Sequence, residues 1–406
     1  LILDHYSPRP GGVLVDPPVA ASVHGTYCFE CTSQANMTKF IEDIDANSLP
    51  VEYIWIDAGW YNLNGHGGET NAWVWVGTWE PDPVRYPNGM KPVADEAHSH
   101  GYKFLLWFEP ERVTEGSWIM LNHPDWVLKA NDWPLLNLGN PAALAWAKDH
   151  FSTMIGSIGV DCYRHDFNVF PLTAWRNNDA ADRQGMNEIK HIMGLYEYFD
   201  YLQAQHPNLI IDNCASGGRR IDFEMLKRAV TLTRTDYLWY SDSAQAMQYA
   251  LSNWIPLTGL GTVSTSPYDF RSGMGSHLVT AFNNTDGSMW APAIAQLNTL
   301  NSIRHLFRGD FYPLTGYSLE NDIWIAWQYD RPDIGQGLVQ AFRRPGSLTA
   351  TSMTFKLQGL EPAASYTVTN LDGGTSTKTG NELMNTGLSI TIPASPGSAL
   401  IRYTKN

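Results

Sequence analysis

Acidic residues follow five apolar stretches of the chain, each at the point where a buried strand would end. They are Asp57, Glu109, Asp166, Asp212 and Asp236. Glycoside cleavage needs two carboxyl groups: one donates a proton to the leaving oxygen, and the other attacks the anomeric carbon or activates water. A pocket ringed by Asp, Glu and Trp side chains therefore predicts sugar chemistry, although any single Trp is more often a packing residue.

The stretches before these acids are short and rich in apolar, β-branched and aromatic residues, which is typical of strands covered on both faces. Each stretch together with its final acid spans 51–57, 103–109, 160–166, 209–212 or 230–236. Helical patterns occur at 36–44, 92–101, 141–155, 186–205 and 291–307, with Pro141 at a first helical position. This alternation predicts an α/β fold, a (β/α)8 TIM barrel with the acids around one active-site face.

The pattern changes near residue 310, where short alternating strands separated by Gly, Pro, Asn and Asp begin. They are expected at 324–329, 338–342, 353–357, 366–369, 388–392 and 399–403. We therefore predict an extended lead-in over 1–24, a catalytic barrel over 25–310 and a small C-terminal antiparallel β-sandwich over 311–406.

Composition narrows the partners of this 406-residue chain. Hydrophobic residues make up 43% and charged residues 17%, so a large core is expected and disorder is not. The net charge of −14 disfavours nucleic acids and anionic membranes but suits a neutral oligosaccharide or glycoconjugate. The sequence has no apolar run of about 20 residues, so no membrane span is predicted. Assembly into a homo-oligomer stays open.

Cysteines and the chain start give weak signals. Cys28 and Cys31 have the spacing of metal ligands, but no second pair follows, so neither a zinc site nor a disulfide framework is predicted. No signal peptide is visible in this soluble chain. Because it starts at Leu1 in a Pro-rich stretch, we expect a processed or trimmed piece, and both a secreted and a cytoplasmic location stay open.

Asp166 and Asp236 are the strongest candidates for catalysis, each with an alternative. Arg164 lies two positions before Asp166 and would point to the same face of a strand, where it could keep Asp166 ionised and bind sugar hydroxyls. The alternative is a structural Arg–Asp pair. Asp236 precedes Tyr237, and partial desolvation there would suit a proton donor. Asp242 competes for that role, and the residues alone do not separate the two.

Two further clusters have both structural and functional interpretations. Glu109 and Glu111 alternate with Arg112, which fits a buried salt-bridge cluster as well as it fits a site. The Gly-rich loop 213–220 lacks the Lys-Ser/Thr of a phosphate cradle. We expect this loop instead to bring backbone and the small Cys214 against a ligand.

Several motifs together resemble glycoside hydrolase family 36, the α-galactosidase (melibiase) family, from about Thr26 to the C-terminal strands. The most specific are Leu-Trp-Phe-Glu-Pro-Glu-Arg-Val at 106–113 and His-Pro-Asp-Trp-Val at 123–127. Ile-Asp-Ala-Gly-Trp-Tyr at 56–61, Asn-Cys-Ala-Ser-Gly-Gly-Arg-Arg-Ile-Asp at 213–222 and Trp-Gln-Tyr-Asp-Arg-Pro at 327–332 add to the resemblance.

The resemblance implies a retaining exo-α-glycosidase that acts on terminal galactose-type residues without a metal or organic cofactor. It makes Asp166 the nucleophile, and the spacing of 14 positions after Asp222 makes Asp236 the acid/base, with the two carboxyl groups predicted about 5–7 Å apart. The residues expected to bind the sugar or line its pocket are Asp57, Trp79, Trp107, Glu109, Arg164, Asn168, Cys214, Ser216 and Tyr237.

The chain departs from the family pattern in its sugar subsite. Ala58 replaces a family carboxylate that grips sugar hydroxyls, Arg164-His165 replaces Lys-Trp, and Ser216 replaces a loop glycine. The large N-terminal β-domain typical of the family does not appear in this sequence. The first alternative is therefore an α-N-acetylgalactosaminidase or α-galactosaminidase with the same mechanism. The second is a non-catalytic glycan-binding barrel, which retention of both aspartates disfavours.

Overall fold

A closed barrel of eight parallel strands forms the first part of the fold, as predicted. The computed structural model describes residues 2–130, 132–348 and 350–406. The strands before residue 281 are β1 (Val19–Ser22), β2 (Tyr53–Ile56), β3 (Lys103–Phe108), β4 (Val127–Leu128), β5 (Leu135–Leu136), β6 (Cys162–His165), β7 (Ile210–Asn213), β8 (Thr231–Thr233), β9 (Thr258–Thr262) and β10 (His277–Thr280). The barrel order is β1-β10-β9-β8-β7-β6-β3-β2, while β4 and β5 pair separately as an antiparallel hairpin.

Helices alternate with the barrel strands, and α5 shows the capping residues that the sequence predicted. They are α1 (Ile2–His5), α2 (Gln34–Ala46), α3 (Lys91–Ser99), α4 (Trp118–Asn122), α5 (Pro141–Ile158), α6 (Leu172–Asn177), α7 (Met186–Gln205), α8 (Phe223–Leu226), α9 (Ser241–Leu251), α10 (Pro267–Gly273) and α11 (Trp290–Ile303). The side chain of Asn140 caps α5, Pro141 is its first residue, and Gly159 ends it with a left-handed φ of 88°. These are the start and stop signals that the sequence showed.

The first barrel strand lies inside the range that the sequence predicted as an extended lead-in. All four residues of β1 are buried, and β1 pairs in parallel with β2. Its sequence, Val-Ala-Ala-Ser, follows two prolines and is made mainly of small residues, so it lacks the bulky apolar run that marked the other strands. Leu1, also in the lead-in, lies outside the described residues.

The C-terminal strands form antiparallel sheets, as predicted. They are β11 (Asp310–Pro313), β12 (Trp324–Arg331), β13 (Gln336–Arg343), β14 (Ser352–Phe355), β15 (Ser365–Asn370), β16 (Thr375–Thr379), β17 (Leu388–Thr391) and β18 (Gly397–Lys405). One sheet has the order β11-β12-β13-β18-β15-β16, and β14 pairs with β17 in a second. Alternating side chains from both sheets meet in one buried apolar cluster, which includes Trp324, Phe355 and Tyr403.

The chain folds into two compact units. One comprises residues 7–233, and the other comprises residues 234–406 together with residues 2–6. The first unit holds Asp166 and most of the predicted sugar-binding residues, and the second holds Asp236 and the C-terminal sheets. Of the helices that the structure describes, none is both long and apolar enough to cross a membrane.

Candidate active site

Asp166 lies directly beyond the carboxyl end of β6 and is only 6% exposed. Its two carboxylate oxygens accept four hydrogen bonds. Oδ2 accepts from Trp107 Nε1 at 3.0 Å and from Asn168 Nδ2 at 2.8 Å, and Oδ1 accepts from the backbone N–H groups of Phe167 at 2.7 Å and Ser216 at 3.2 Å. Because strand β6 fixes the backbone and donors surround the carboxylate, Asp166 is held in one orientation.

These donors keep Asp166 ionised despite its burial. Desolvation by itself raises the pKa of the Asp166 carboxyl group. The positive charge of Arg164 and the hydrogen bonds from Trp107 and Asn168 outweigh that effect, so the pKa lies below the ordinary aspartate value. A buried carboxylate that stays ionised at neutral pH is suited to act as a nucleophile.

Arg164 forms its ion pair with Asp212 on the neighbouring strand β7. Its Nη1 donates to both carboxylate oxygens of Asp212, at 3.1 and 3.0 Å, and to Thr233 Oγ1 at 3.0 Å. The guanidinium also lies 4.7 Å above the ring of Trp55. A structural Arg–Asp pair therefore exists, but its acid is Asp212, and Arg164 acts on Asp166 through its charge.

Glu109 and Arg112 form the buried salt bridge that the sequence offered as one interpretation of this motif. Arg112 Nη2 donates to Glu109 Oε2 at 2.6 Å, and both side chains are almost fully buried. Asn168 donates its backbone N–H to Glu109 Oε1 at 2.6 Å and its Nδ2 to Oε2 at 3.3 Å. Since that Nδ2 also donates to Asp166, Asn168 links the two carboxylates.

The pKa of Glu109 is raised to about 7. Desolvation is the largest cause, the charge of Arg112 opposes it, and the negative charge of Asp166 raises the pKa further. Glu109 therefore changes protonation within the pH range of ordinary enzyme assays, whereas the neighbouring Asp166 carboxylate stays ionised.

Glu111 lies at the centre of a buried polar network. Its Oε1 accepts from His165 Nε2 at 2.8 Å and from Arg220 Nη1 at 2.6 Å, and its Oε2 accepts from His191 Nε2 and Arg220 Nη2, both at 2.7 Å. Burial raises the pKa of Glu111, but Arg220 and the two histidines lower it well below its ordinary value. The network ties β6, α7 and the loop after β7 to one carboxylate behind the site.

The loop after β7 brings its backbone to Asp166. Cys214 is fully buried, and its Sγ accepts from the backbone N–H of Gly217 at 3.2 Å. Ser216 is exposed, has a left-handed φ of 47°, donates its backbone N–H to Asp166 and donates its hydroxyl to Asn168 Oδ1 at 2.7 Å. Glycine adopts this left-handed conformation more readily than serine does. In this conformation the Ser216 hydroxyl makes its hydrogen bond to Asn168.

Trp79 and Trp107 belong to a buried aromatic cluster with Trp60, Tyr61 and Phe108. Trp79 is 3% exposed, and its ring centroid lies 5.0 Å from that of Tyr61 and 6.3 Å from that of Trp107. Within the described residues the buried Trp79 Nε1 has no hydrogen-bond partner. Trp107 instead directs its indole N–H to Asp166, so this cluster positions at least one donor of the site.

Asp57 lies at the end of β2, next to a half-buried histidine that the sequence did not single out. The Asp57 backbone N–H donates to His24 Nε2 at 3.1 Å, and Asp57 Oδ1 accepts from the backbone N–H of Ala58 at 2.7 Å. Burial lowers the pKa of His24 to about 3, so the ring is neutral. Ala58 is 2% exposed, so a buried methyl group lies at the position where the resembled family has a carboxylate.

Asp236 and Tyr237 are both exposed, in the unit that comprises residues 234–406. Asp236 follows β8 by three positions, and its carbonyl oxygen accepts from the backbone N–H of Leu238 at 2.9 Å. The competing acid Asp242 accepts a hydrogen bond from the hydroxyl of Tyr268 and lies near Arg344. Asp236 thus stands at the carboxyl end of a barrel strand, where barrel enzymes place catalytic groups.

Cys28 and Cys31 form a disulfide, which the sequence had not predicted. The loop that contains them follows β1, and the ring of Phe29 between them lies 4.6 Å from that of His24. Gly59, with φ of 91°, approaches the carbonyl oxygen of Phe29 so closely that a Cβ would lie 2.6 Å from it. The disulfide loop therefore packs against the Asp57–Gly59 segment of the candidate site.

Sequence similarity now places this geometry in a family. The family described as "Melibiase" matches residues 21–282, which is more than half of the chain. The chain belongs to the melibiase family. The "Glycosyl hydrolase family 36 C-terminal domain" matches residues 324–402, so both the motifs of the barrel and those of the C-terminal sheets were identified correctly.

Relatives of this melibiase-family chain include bacterial and fungal proteins. Alpha-galactosidase 2 of Pediococcus pentosaceus is 33% identical over 219 residues, which is 52% of this chain and 28% of the relative. Alpha-galactosidase C of Emericella nidulans is 27% identical over 426 residues, which is 95% of this chain and 52% of the relative. The chain therefore spans about half the length, or less, of these relatives.

Solved structures show the same fold. The GH36 alpha-galactosidase AgaA from Geobacillus stearothermophilus superposes with a TM-score of 0.85 at 21% identity, over 98% of this chain and 57% of that one. The alpha-galactosidase from Lactobacillus brevis superposes with a TM-score of 0.83 at 22% identity, over 97% of this chain and 55% of that one. The melibiase-family chain shares with both the barrel and the C-terminal sheets.

Proposed function

We propose that this protein is a retaining exo-α-galactosidase that removes terminal α-linked galactose from oligosaccharides or glycoconjugates. The observation that carries the proposal is Asp166, an ionised carboxylate with four hydrogen-bond donors at the carboxyl end of a barrel strand. Family membership and relatives named as alpha-galactosidases support the choice of sugar.

In the proposed first step, a carboxylate oxygen of Asp166 attacks the anomeric carbon and the bond to the glycosidic oxygen breaks. Asp236 gives its proton to that oxygen, and the leaving alcohol departs. The product is a galactosyl ester of Asp166. In the second step Asp236 takes a proton from water, which attacks the anomeric carbon and restores the Asp166 carboxylate.

The remaining polar residues of the site have supporting roles in this proposal. Arg164 places positive charge near Asp166 and favours its ionised form. Asp57 is half-buried at the end of β2, so we assign it to sugar hydroxyls. Trp79 offers its buried indole N–H, and the loop with Cys214 and Ser216 limits the space beside Asp166.

Because Ala58 departs from the family pattern, the identity of the sugar is the part of this proposal that most needs a test. It removes a charged acceptor, and a charge-assisted hydrogen bond contributes about 1.5–3 kcal/mol. The family resemblance places Ser216 near the 2-position of the sugar, so 2-amino and 2-acetamido α-galactosides belong in the same comparison.

A panel of p-nitrophenyl α-glycosides tests the proposal directly. We expect the highest kcat/KM for the α-galactoside, and no turnover of β-galactosides. A kcat/KM for a 2-substituted analogue more than about 100-fold above that for the galactoside would reassign the sugar. Absence of turnover on every α-glycoside would refute the enzyme.

A further inference from the structure

The loop that follows β8 exposes three large aromatic rings within four residues. Tyr237 is 55% exposed, Trp239 59% and Tyr240 54%. Soluble proteins bury most of the area of such rings, and exposed aromatic clusters mark surfaces that contact a partner or ligand. We call Tyr237, Trp239 and Tyr240 the aromatic platform.

Leu238, in the middle of the loop, anchors it to its own unit because its side chain packs against β9. Leu238 packs over Gly261 of β9, where a Cβ would lie 2.8 Å from Leu238 Cδ2. The absence of a side chain at Gly261 leaves room for Leu238 to pack against β9. The platform residues on either side of Leu238 are left facing outward, since they are exposed and Leu238 is not.

Hydrogen bonds hold both ends of the loop. At the start, the Tyr237 backbone N–H donates to Thr235 Oγ1 at 3.1 Å. At the end, Ser241 Oγ donates to Asp269 Oδ1 at 2.7 Å, and the hydroxyl of Tyr268 donates to Asp242. A loop fixed in this way presents its rings with little ordering cost when a ligand binds.

The rings form one continuous surface. The centroids of Tyr237 and Tyr240 are 5.4 Å apart with planes at 75°, and those of Trp239 and Tyr240 are 6.1 Å apart with planes at 53°. Such a surface combines apolar faces with hydroxyl and indole donors. Pyranose rings match it, since they have apolar C–H faces and hydroxyl edges, and they are neutral, which suits a chain of net charge −14.

The platform directly follows Asp236 in the chain. With at most about 3.5 Å per residue, the Cα of Tyr240 lies within roughly 14 Å of the Cα of Asp236. Under the proposed function Asp236 contacts the glycosidic oxygen, which carries the leaving group. Sugar rings on the leaving-group side of that oxygen are therefore within reach of the platform.

We propose that the aromatic platform binds the leaving-group sugars of α-galactosyl oligosaccharides by stacking against their C–H faces. This inference rests on the proposed function, because it takes Asp236 as the acid. The platform then sets preference for the leaving group, while the residues around Asp166 bind the galactose.

Two substrates separate this role from catalysis. The leaving group of α-galactosyl fluoride is a single fluoride ion, which cannot reach the platform. The leaving group of an α-galactosyl trisaccharide is a disaccharide, which can. Trp239→Ala and Tyr240→Ala should each lower kcat/KM for the trisaccharide by roughly 10- to 50-fold, mainly through KM, and change kcat/KM for the fluoride less than about 3-fold. Trp239→Phe should restore most of the loss.

Trp254→Ala is the matched control, since Trp254 is also an exposed tryptophan, at 44%, in the same unit. It should affect neither substrate, and thermal unfolding of each variant checks its fold. Equal losses on both substrates, or no loss on the trisaccharide, would overturn the platform while leaving the enzyme active. If the parent protein hydrolyses neither substrate, the proposed function fails instead, and the platform with it.

Discussion

Replacing Glu109 with glutamine should change how the stability of the protein depends on pH. The pKa of Glu109 is about 7 in the folded protein and 4.5 for an ordinary glutamate. Because the folded state holds the proton more tightly, Glu109 favours folding at low pH. That contribution is lost as the pH rises from 4.5 through 7.

The magnitude follows from the two pKa values. Proton linkage for values of 7 and 4.5 gives a loss of about 2–3 kcal/mol in unfolding free energy between pH 5 and pH 8. Glutamine at this position cannot titrate. The difference in unfolding free energy between Glu109→Gln and the parent protein should therefore move by about 2–3 kcal/mol in favour of the variant over that range.

Urea unfolding followed by tryptophan fluorescence at pH 5, 6, 7 and 8 measures this difference. Glu115→Gln is the matched control, because Glu115 is an exposed glutamate in the same loop, six positions later. A difference between Glu109→Gln and the parent that stays constant within about 0.5 kcal/mol across the four pH values would refute a raised pKa at Glu109.

Two further predictions concern Asp236 and Glu111. Asp236→Ala should lower kcat/KM on natural α-galactosides by about 100- to 10,000-fold. The loss on an aryl galactoside with an activated leaving group should be much smaller, because that group needs less protonation. Equal losses on both substrates would exclude Asp236 as the acid. Glu111→Gln should reduce the unfolding free energy by about 3–5 kcal/mol, because His165, His191 and Arg220 lose a buried charged acceptor. The surface variant Glu224→Gln, which also has two basic partners, should leave the urea midpoint nearly unchanged, and similar shifts in both would contradict a special role for the Glu111 network.

Much of the fold could be predicted from the sequence, because buried strands of the barrel are bulky apolar runs of few residues. The strands at 103–108 and 162–165, and the helix at 186–205, lie where the pattern placed them. β1 was not recognised, since its alanines and serine are small. The hydrophobic signal depends on side-chain size, whereas pairing with β2 uses the backbone.

The candidate site was predicted less completely, since its partners are distant in the chain. Alternation along a strand correctly placed Arg164 near Asp166, but the ion pair with Asp212 joins residues 48 positions apart. The contacts of Glu111 with His191 and Arg220 are equally non-local. Sequence patterns report local periodicity, and the choice among several acids depends on which strands become neighbours.

Azide rescue of Asp166→Ala tests the central claim most directly. The variant should lose at least about 1,000-fold in kcat on an aryl α-galactoside with a good leaving group. Azide should then occupy the space of the missing carboxylate and attack the anomeric carbon from that side. We predict recovered turnover and β-galactosyl azide as the product, identified by NMR. A variant that keeps most of its activity, or one whose only product with azide is free galactose, would contradict Asp166 as the nucleophile.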